Sequence, residues 1–220
     1  MFRDVDLNDI SDGKEYTSSD MARVDCNGCM GCSKCCHGMG KSLELDPLDI
    51  FNIIKATGYG ISELLNKYIE LSVSGGIILP NIKMSGKDEA CLFLNDEGRC
   101  TIHKYRPGIC RMFPLGRIFK DRGHLYFNQI YECPYESKTK IKIKNWMNIP
   151  DLDRYEKFVD DWHDVKMEIM EEVMNTDDMD ARGQICTGFL QLFYVNPYNT
   201  DGDFYTQFYE RLDFIKKQTI

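Results

Sequence analysis

The stretch DCNGCMGCSKCCHGMG, residues 25–40, sets five of the chain's ten cysteines within eleven residues. Cys26, Cys29, Cys32 and Cys35 stand three residues apart, and Cys36 follows Cys35 directly. Thiolate sulfur is a soft ligand that suits zinc and iron, and Cys-x-x-Cys spacing can aim two sulfurs at one ion. Gly28, Gly31, Gly38 and Gly40 interrupt the stretch. Each costs helix stability, so the segment reads as a loop able to wrap an ion, with backbone N–H groups free to approach the sulfurs.

Four more cysteines lie before residue 135: Cys91, Cys100, Cys110 and Cys133. Singly, each reads as a small buried hydrophobe. Together with the loop they read as ligands, since isolated core cysteines have no reason to crowd into one part of the chain. Cys186, beside Ile185 and Phe189 on an apolar helix face, is assigned to the core. Structural disulfides fit less well than metal, because neighbouring Cys35 and Cys36 cannot easily bridge and disulfides belong to oxidising compartments.

The elements that must position these sulfurs follow from local signals. DPLDIFNIIKATG predicts a helix with Asp46 as N-cap, Pro47 at its first position and Gly58 just past its end. SELLNKYIEL predicts a second helix starting from Ser62, with Leu64, Leu65, Tyr68 and Ile69 on one face. GGIILPNIKMS reads as extended, CLFLNDEGRCTI as a tight hairpin turning at NDEG, and LGRIFKDRGHLYFNQI as a second hairpin around KDRG. From residue 152, apolar side chains recur at Leu152, Tyr155, Val159, Trp162, Val165, Ile169 and Val173, the pattern of a long amphipathic helix. Two further helices are expected around 181–195 and 203–217. The fold class is therefore α+β and mainly helical: an irregular cysteine-rich region with short β-hairpins packed on a helical scaffold. Residues 1–22 read as a flexible leader, 23–135 as the metal-binding region, and 136–220 as the helical C-terminal part of the same domain.

Composition narrows the function. The formal net charge is −8, from 27 basic and 35 acidic residues, which argues against a general nucleic-acid binder. No apolar run approaches the ~18 residues of a membrane span, and the polar, acidic start has no apolar core like a signal peptide's. The expected location is the cytoplasm. GMGKS, Gly38 to Ser42, is not a phosphate loop, because Cys35 stands where its first glycine belongs. His37 and His103 read as neighbours of the sulfurs, and His163 as solvated.

CMGCSKCC, from Cys29 to Cys36, followed by CLFLNDEGRCTIHKYRPGICRMFP and then a Cys-Pro at Cys133, resembles the cysteine-cluster family named for the motif CxxCxxCC and described as zinc- or iron-chelating. The resemblance covers roughly residues 25–135. It implies metal ligands among Cys29, Cys32, Cys35, Cys36, Cys91, Cys100, Cys110 and Cys133, and leaves Cys26 outside the core pattern. A better-described relative is a flagellin lysine N-methylase, which carries a similar cluster.

Zinc sites take four ligands, and eight sulfurs could hold two ions. Iron–sulfur cubanes also take four thiolates, and one bacterial pattern combines three cysteines at intervals of three with a distant Cys-Pro. Cys29, Cys32, Cys35 and Cys133 match it, so a 4Fe-4S cluster is favoured, with zinc as the alternative. Arg106 and Arg111 either screen the sulfurs or grip an anionic cofactor or substrate, since a guanidinium fork fits carboxylate and phosphate. The leading function is a metal- or cluster-binding protein with a structural or redox role. Its rivals are a cluster-dependent enzyme acting on protein side chains, as the methylase relative suggests, and an adaptor. The adaptor's docking face would be Phe189, Phe193, Tyr194, Phe204, Tyr205 and Phe208, whose simpler reading is helix packing.

Overall fold

A computed structural model describes residues 7–26 and 32–218. The expected helix after the cysteine loop, α2 (Pro47–Thr57), owes its start to two aspartates. The Asp49 N–H donates to the Asp46 carboxylate at 2.8 Å, and the Asp46 N–H donates back to Asp49 at 3.2 Å. Such a reciprocal pair satisfies two N–H groups that a helix start leaves free. Gly58, at φ 72°, ends the helix in the left-handed conformation that glycine adopts without strain. The next helix, α3 (Ile61–Lys67), starts one residue earlier than Ser62 implied and stops at Tyr68. Ile69 opens a strand, because its backbone pairs with Ile82. Strands β2 (Ile69–Ser74) and β3 (Ile77–Ile82) form an antiparallel hairpin through Gly75 and Gly76, both at positive φ as a two-residue turn requires.

The remaining pairs are also two-stranded and antiparallel. Within the first part of the chain, α1 (Leu7–Ile10) precedes β1 (Met21–Asp25), which pairs with β8 (Thr139–Lys142). Met84–Ser85 (β4) pairs with Ala90–Cys91 (β5), and the KDRG hairpin forms as β6 (Leu115–Phe119) and β7 (His124–Asn128). The segment around NDEG differs from expectation. Asn95 Oδ1 accepts from the N–H groups of Glu97 and Arg99, adding to backbone bonds from Gly98 to Asn95 and from Asn95 to Arg99, and beside the turn the segment forms one isolated bridge, Leu94 to Cys100, rather than a strand pair. Cys91 pairs instead with Met84 on its other side. Helices account for 46% and strand pairs for 21%, so the fold is α+β and mainly helical.

Two cores result. The larger is lined by α6 (Leu152–Asn175), α7 (Met179–Leu190) and α8 (Phe204–Gln218) together with α2, α3 and β3. Trp162 stacks on Phe189 at 5.4 Å and meets Phe193 edge-on at 5.1 Å, with Phe208 behind them. Those aromatics, including the buried Phe189, Phe193, Tyr194, Phe204 and Phe208, are internal packing. Cys186 is buried there, its thiol facing the Gly76 carbonyl at 3.5 Å. His163 is half-buried, its ring stacked on Phe119 at the end of β6 with centroids 3.6 Å apart. The smaller core gathers Ala22, Val24, Met112, Leu115, Tyr126, Ile143 and Met147 around β1, β6, β7, α4 (Gly108–Met112) and α5 (Ile143–Met147). Ile109 and Leu152 touch both cores, so α4 is the hinge piece between them. Among the described residues no helix is long and apolar enough to cross a membrane.

Gly108, which opens α4, has no room for a side chain: a Cβ would lie 2.1 Å from the Tyr155 hydroxyl, on a ring that is itself buried. Gly108→Ala should therefore lower stability by about 1–3 kcal/mol, the usual cost of overpacking, read as a fall in Tm by calorimetry. An unchanged Tm would show that Tyr155 can yield at no cost.

Candidate metal centre

The thiols fall into two groups, and of them Cys36, Cys91, Cys100 and Cys110 pack into or against the larger core. The inner group is Cys35, Cys91, Cys100 and Cys110, with Cys36 alongside. Cys35 and Cys36 sit on one short 3-10 turn, Lys34–Cys36, entered through Ser33 at φ 46°. The loop is then stitched to β5 by a bridge from His37 to Ala90 and a hydrogen bond from the Gly38 N–H to the Glu89 carbonyl at 3.0 Å. That places Cys36 beside the strand that carries Cys91. Cys100 is drawn back to the same strand by the Thr101 N–H, which donates to the Phe93 carbonyl at 2.8 Å. Cys110 arrives on α4, whose first N–H, from Gly108, donates to Asp49 Oδ1 at 2.8 Å.

The electrostatics record the gathering. Cys110 is raised well above an ordinary thiol by burial first, then by the charges of Asp49, Cys35, Cys91 and Cys100. Cys91 is pushed up to about 11 by burial, opposed by a hydrogen bond from the Phe93 N–H and reinforced by Cys100 and Cys35. Cys100 is raised by burial, with the Ile102 N–H and Arg106 pulling the other way. Cys35 is raised most directly by its hydrogen bond with Cys36 and next by burial, while Arg106 opposes. Cys110 feels the charges of Cys35, Cys91 and Cys100, Cys91 those of Cys100 and Cys35, and Cys100 that of Cys35, a crowding that a positive ion would relieve.

The outer group is Cys26, Cys32 and Cys133. Cys26 follows β1 and is buried, Cys32 is exposed, and Cys133 is half-buried in the turn leading to β8. Cys133 is raised by burial first, and also feels the charges of Cys26 and Cys32, with Lys138 opposing. Lys138 donates to the Cys133 carbonyl at 2.9 Å, and Thr139 donates to the Asp25 carboxylate at 3.3 Å, so β8 holds the two cysteine segments together. Cys29 lies outside the described residues. Among the described residues no three Cys, His, Asp or Glu side chains stand as a ready-made metal cage. The donor set nevertheless suits a soft metal: sulfur predominates, and peptide N–H groups already point at three of the thiols.

The two arginines have separate surroundings. Arg106 donates to the His103 carbonyl at 3.1 Å, contacts its ring, and its charge reaches Cys35 and Cys100. Arg111 donates to the carbonyls of Arg106 and Asn148, each at 3.2 Å, and of Lys104. Its fork thus braces the chain on either side of α4. His103 is pushed below its usual value by burial and then by Arg106, so a neutral ring is favoured.

Sequence reasoning passed over Asp49. It is the third residue of α2, only 3% exposed, and its Oδ1 and Oδ2 take the N–H groups of Gly108 and Asp46. The Asp-x-x-Asp spacing around Pro47 and Leu48 was the available signal for its helix role. Nothing local signalled its partner 59 positions away. Arg117 was likewise missed. Burial opposes its charge, but Tyr155, Tyr126 and Asp46 outweigh that and keep it charged, and its Nη2 donates to the Tyr155 hydroxyl at 3.2 Å.

A helical scaffold with cysteines carried on short strands and turns is of the kind that thiolate metal-binding proteins use. A family model named CxxCxxCC, described as "Putative zinc- or iron-chelating domain", matches residues 28–151, more than half of the chain, and the protein belongs to that family. No curated protein and no solved structure matches it. Metal binding is thereby supported, without a choice between zinc and iron.

Asp46 and Asp49 give the site's support a pH dependence. Burial raises both carboxyls, Asp46 to about 6, and each raises the difficulty of ionising the pair, while Arg117 partly compensates. Folded-state values above the unfolded ones mean that the folded chain holds protons the unfolded chain releases. The contribution is fully present below the unfolded value of 3.8 and is lost as pH climbs through about 6. Asp46→Asn keeps an N-cap acceptor and removes one of the two charges. In urea titrations across that window the loss of stability with rising pH should be smaller in this variant than in the parent. Parallel pH profiles would show that the pair is not strained by charge.

Proposed function

We propose that the chain holds an iron–sulfur cluster on the inner thiols, with Cys35, Cys91, Cys100 and Cys110 as its ligands and Cys36 as their neighbour. The observation that carries this reading is the make-up of the inner group: Cys91, Cys100 and Cys110 are each desolvated and each feel the charge of Cys35, beside one carboxylate already bonded to two backbone N–H groups. Asp49 is therefore poorly placed to serve as an oxygen ligand, and sulfur ligation is favoured. Four thiolates are what a cubane takes, and the bound group would supply either a cross-link between the loop, β5 and α4 or a one-electron relay.

The chain's own residues supply the rest. The Phe93 and Ile102 N–H groups donate to the Cys91 and Cys100 sulfurs, and Arg106 adds positive charge where thiolates would accumulate. Apolar walls from Leu43, Phe93 and Ile102, all buried, limit water at the sulfurs. Arg106 is read as a charge partner of the cluster, and Arg111 as the brace of the loop that presents Cys110. The charge balance and the chain's texture support a cytoplasmic protein whose residues 23–135 carry the chemistry and whose residues 136–220 carry the scaffold.

The test is elemental analysis of protein purified without oxygen. Iron with an equal amount of acid-labile sulfide is expected, and Cys110→Ala should release most of that iron. Zinc without sulfide would overturn the cluster and leave a structural zinc module.

A further inference from the structure

We propose that the cavity between the β1–β8 pair and the chain leading into β1 binds a small organic anion: a hydroxylated carbon frame carrying at least two phosphate or carboxylate groups. None of the described thiols lines that cavity, so the assignment stands apart from the metal reading.

The walls follow from backbone pairing. On one side residues 12–16 run beside 126–130. The Asp12 N–H donates to the Asn128 backbone carbonyl at 3.2 Å, and Tyr16 and Tyr126 exchange backbone bonds, both at 2.8 Å. The β1–β8 pair forms the other side. Ala22, Val24 and Ile141 pack into or against the smaller core, so strand alternation turns Met21, Arg23 and Lys140 the opposite way, onto a cavity of about 410 Å³. That volume falls within the roughly 300–1,000 Å³ of small-molecule sites.

The charge on these walls is one-sided. Lys14, Arg23, Lys138 and Lys140 face only two carboxylates, Asp12 and Glu136. Asp12 is already engaged by the Tyr16 hydroxyl at 2.6 Å. Among the described residues none of the four cations forms an ion pair, and Lys138 donates to the Cys133 carbonyl at 2.9 Å. Arg23 and Lys140 stand directly opposite each other across the two strands. Like charges in that position destabilise a strand pair, and a chain of net charge −8 does not need them there for solubility. An anion between them converts the repulsion into charge-assisted contacts, with the guanidinium fork able to grip phosphate or carboxylate.

A missing partner supplies the second half of the ligand's chemistry. Asn128 also lines the cavity and is only 8% exposed, and its Oδ1 is buried with no hydrogen-bond partner among the described residues. Buried acceptors are rarely left unpaired, and a ligand hydroxyl reaching this oxygen would satisfy it. Cations for the acid groups and an amide acceptor for a hydroxyl together define the ligand class.

Calorimetric titration of the full-length protein tests the site with three probes. Fructose 1,6-bisphosphate joins two phosphates to hydroxyls, glucarate joins two carboxylates to hydroxyls, and fructose has hydroxyls alone. At least one of the two acids should bind once per chain and weaken as salt is added, and fructose should not bind. Tighter binding of the bisphosphate would assign phosphate as the ligand's acid group, and tighter binding of glucarate would assign carboxylate. Arg23→Thr and Lys140→Thr, both at exposed strand positions, should each raise Kd at least tenfold. Each should leave Tm equal or higher, because each removes the like-charged pair. A purely structural role for these side chains would move Tm and leave Kd unchanged. Should either variant fail to fold, Lys14→Ala, on the exposed chain before β1, takes its place with the same tenfold expectation. Binding of neither acid, equal binding of fructose, or parental Kd values in the variants would overturn the site.

Discussion

One buried carboxylate ties together the two helix starts beside the inner thiols. Asp49 is buried, and its oxygens accept the N–H groups of Asp46 and Gly108, joining the start of α2 to the start of α4. A buried carboxylate costs several kcal/mol unless hydrogen bonds and charge satisfy it. Here both helix starts, rich in unpaired N–H groups, meet that need, and the positive ends of the two helices add to it. The consequence reaches Cys110, two residues into α4, whose thiol lies near enough to feel the Asp49 charge. Loss of that carboxylate would free α4 from α2, and with it one of the inner sulfurs.

The helical half exists to fix this junction. α6 runs from Leu152, which touches both cores, through Tyr155, which fills the space above Gly108, to Trp162 in the aromatic stack. Tyr155 also accepts a hydrogen bond from the half-buried Arg117, linking the second hairpin to the same place. The cysteines sit where short strands and turns meet this frame. Those elements bury little on their own, and each of the described strand pairs has only two strands. A bound metal would therefore contribute cross-links where hydrophobic packing is thinnest.

Features written in local chemistry were legible from sequence, and features made by distant contacts were not. Asp46, Pro47 and Gly58 bound α2 because caps act within one turn. The period along α6 was equally plain, since its buried residues follow from one face of one helix. Ile69 was read as helical because YIEL fits either period, and only pairing with Ile82 makes it a strand. The turn at Asn95 was legible, but its flanks were not: the ladder that would have made a hairpin is taken by Met84 and Cys91. His163 looked solvated on a charged helix, and its stacking on Phe119 depends on a hairpin some forty residues upstream. For the site, spacing was enough to name sulfur as the donor, since thiol chemistry is local to each residue. How those thiols group was hidden, because it depends on distant contacts, the pairing of β1 with β8 and the bond from α4 to Asp49.

The account's central claim is that a metal is held by sulfur from the inner thiols. X-ray absorption at the edge of whichever metal the purified protein carries tests that most directly. The account predicts a nearest shell made of sulfur, at about 2.3 Å, the Zn–S distance and close to that of iron in thiolate sites. A nearest shell of nitrogen or oxygen at about 2.0–2.2 Å would contradict it and move the metal to other residues.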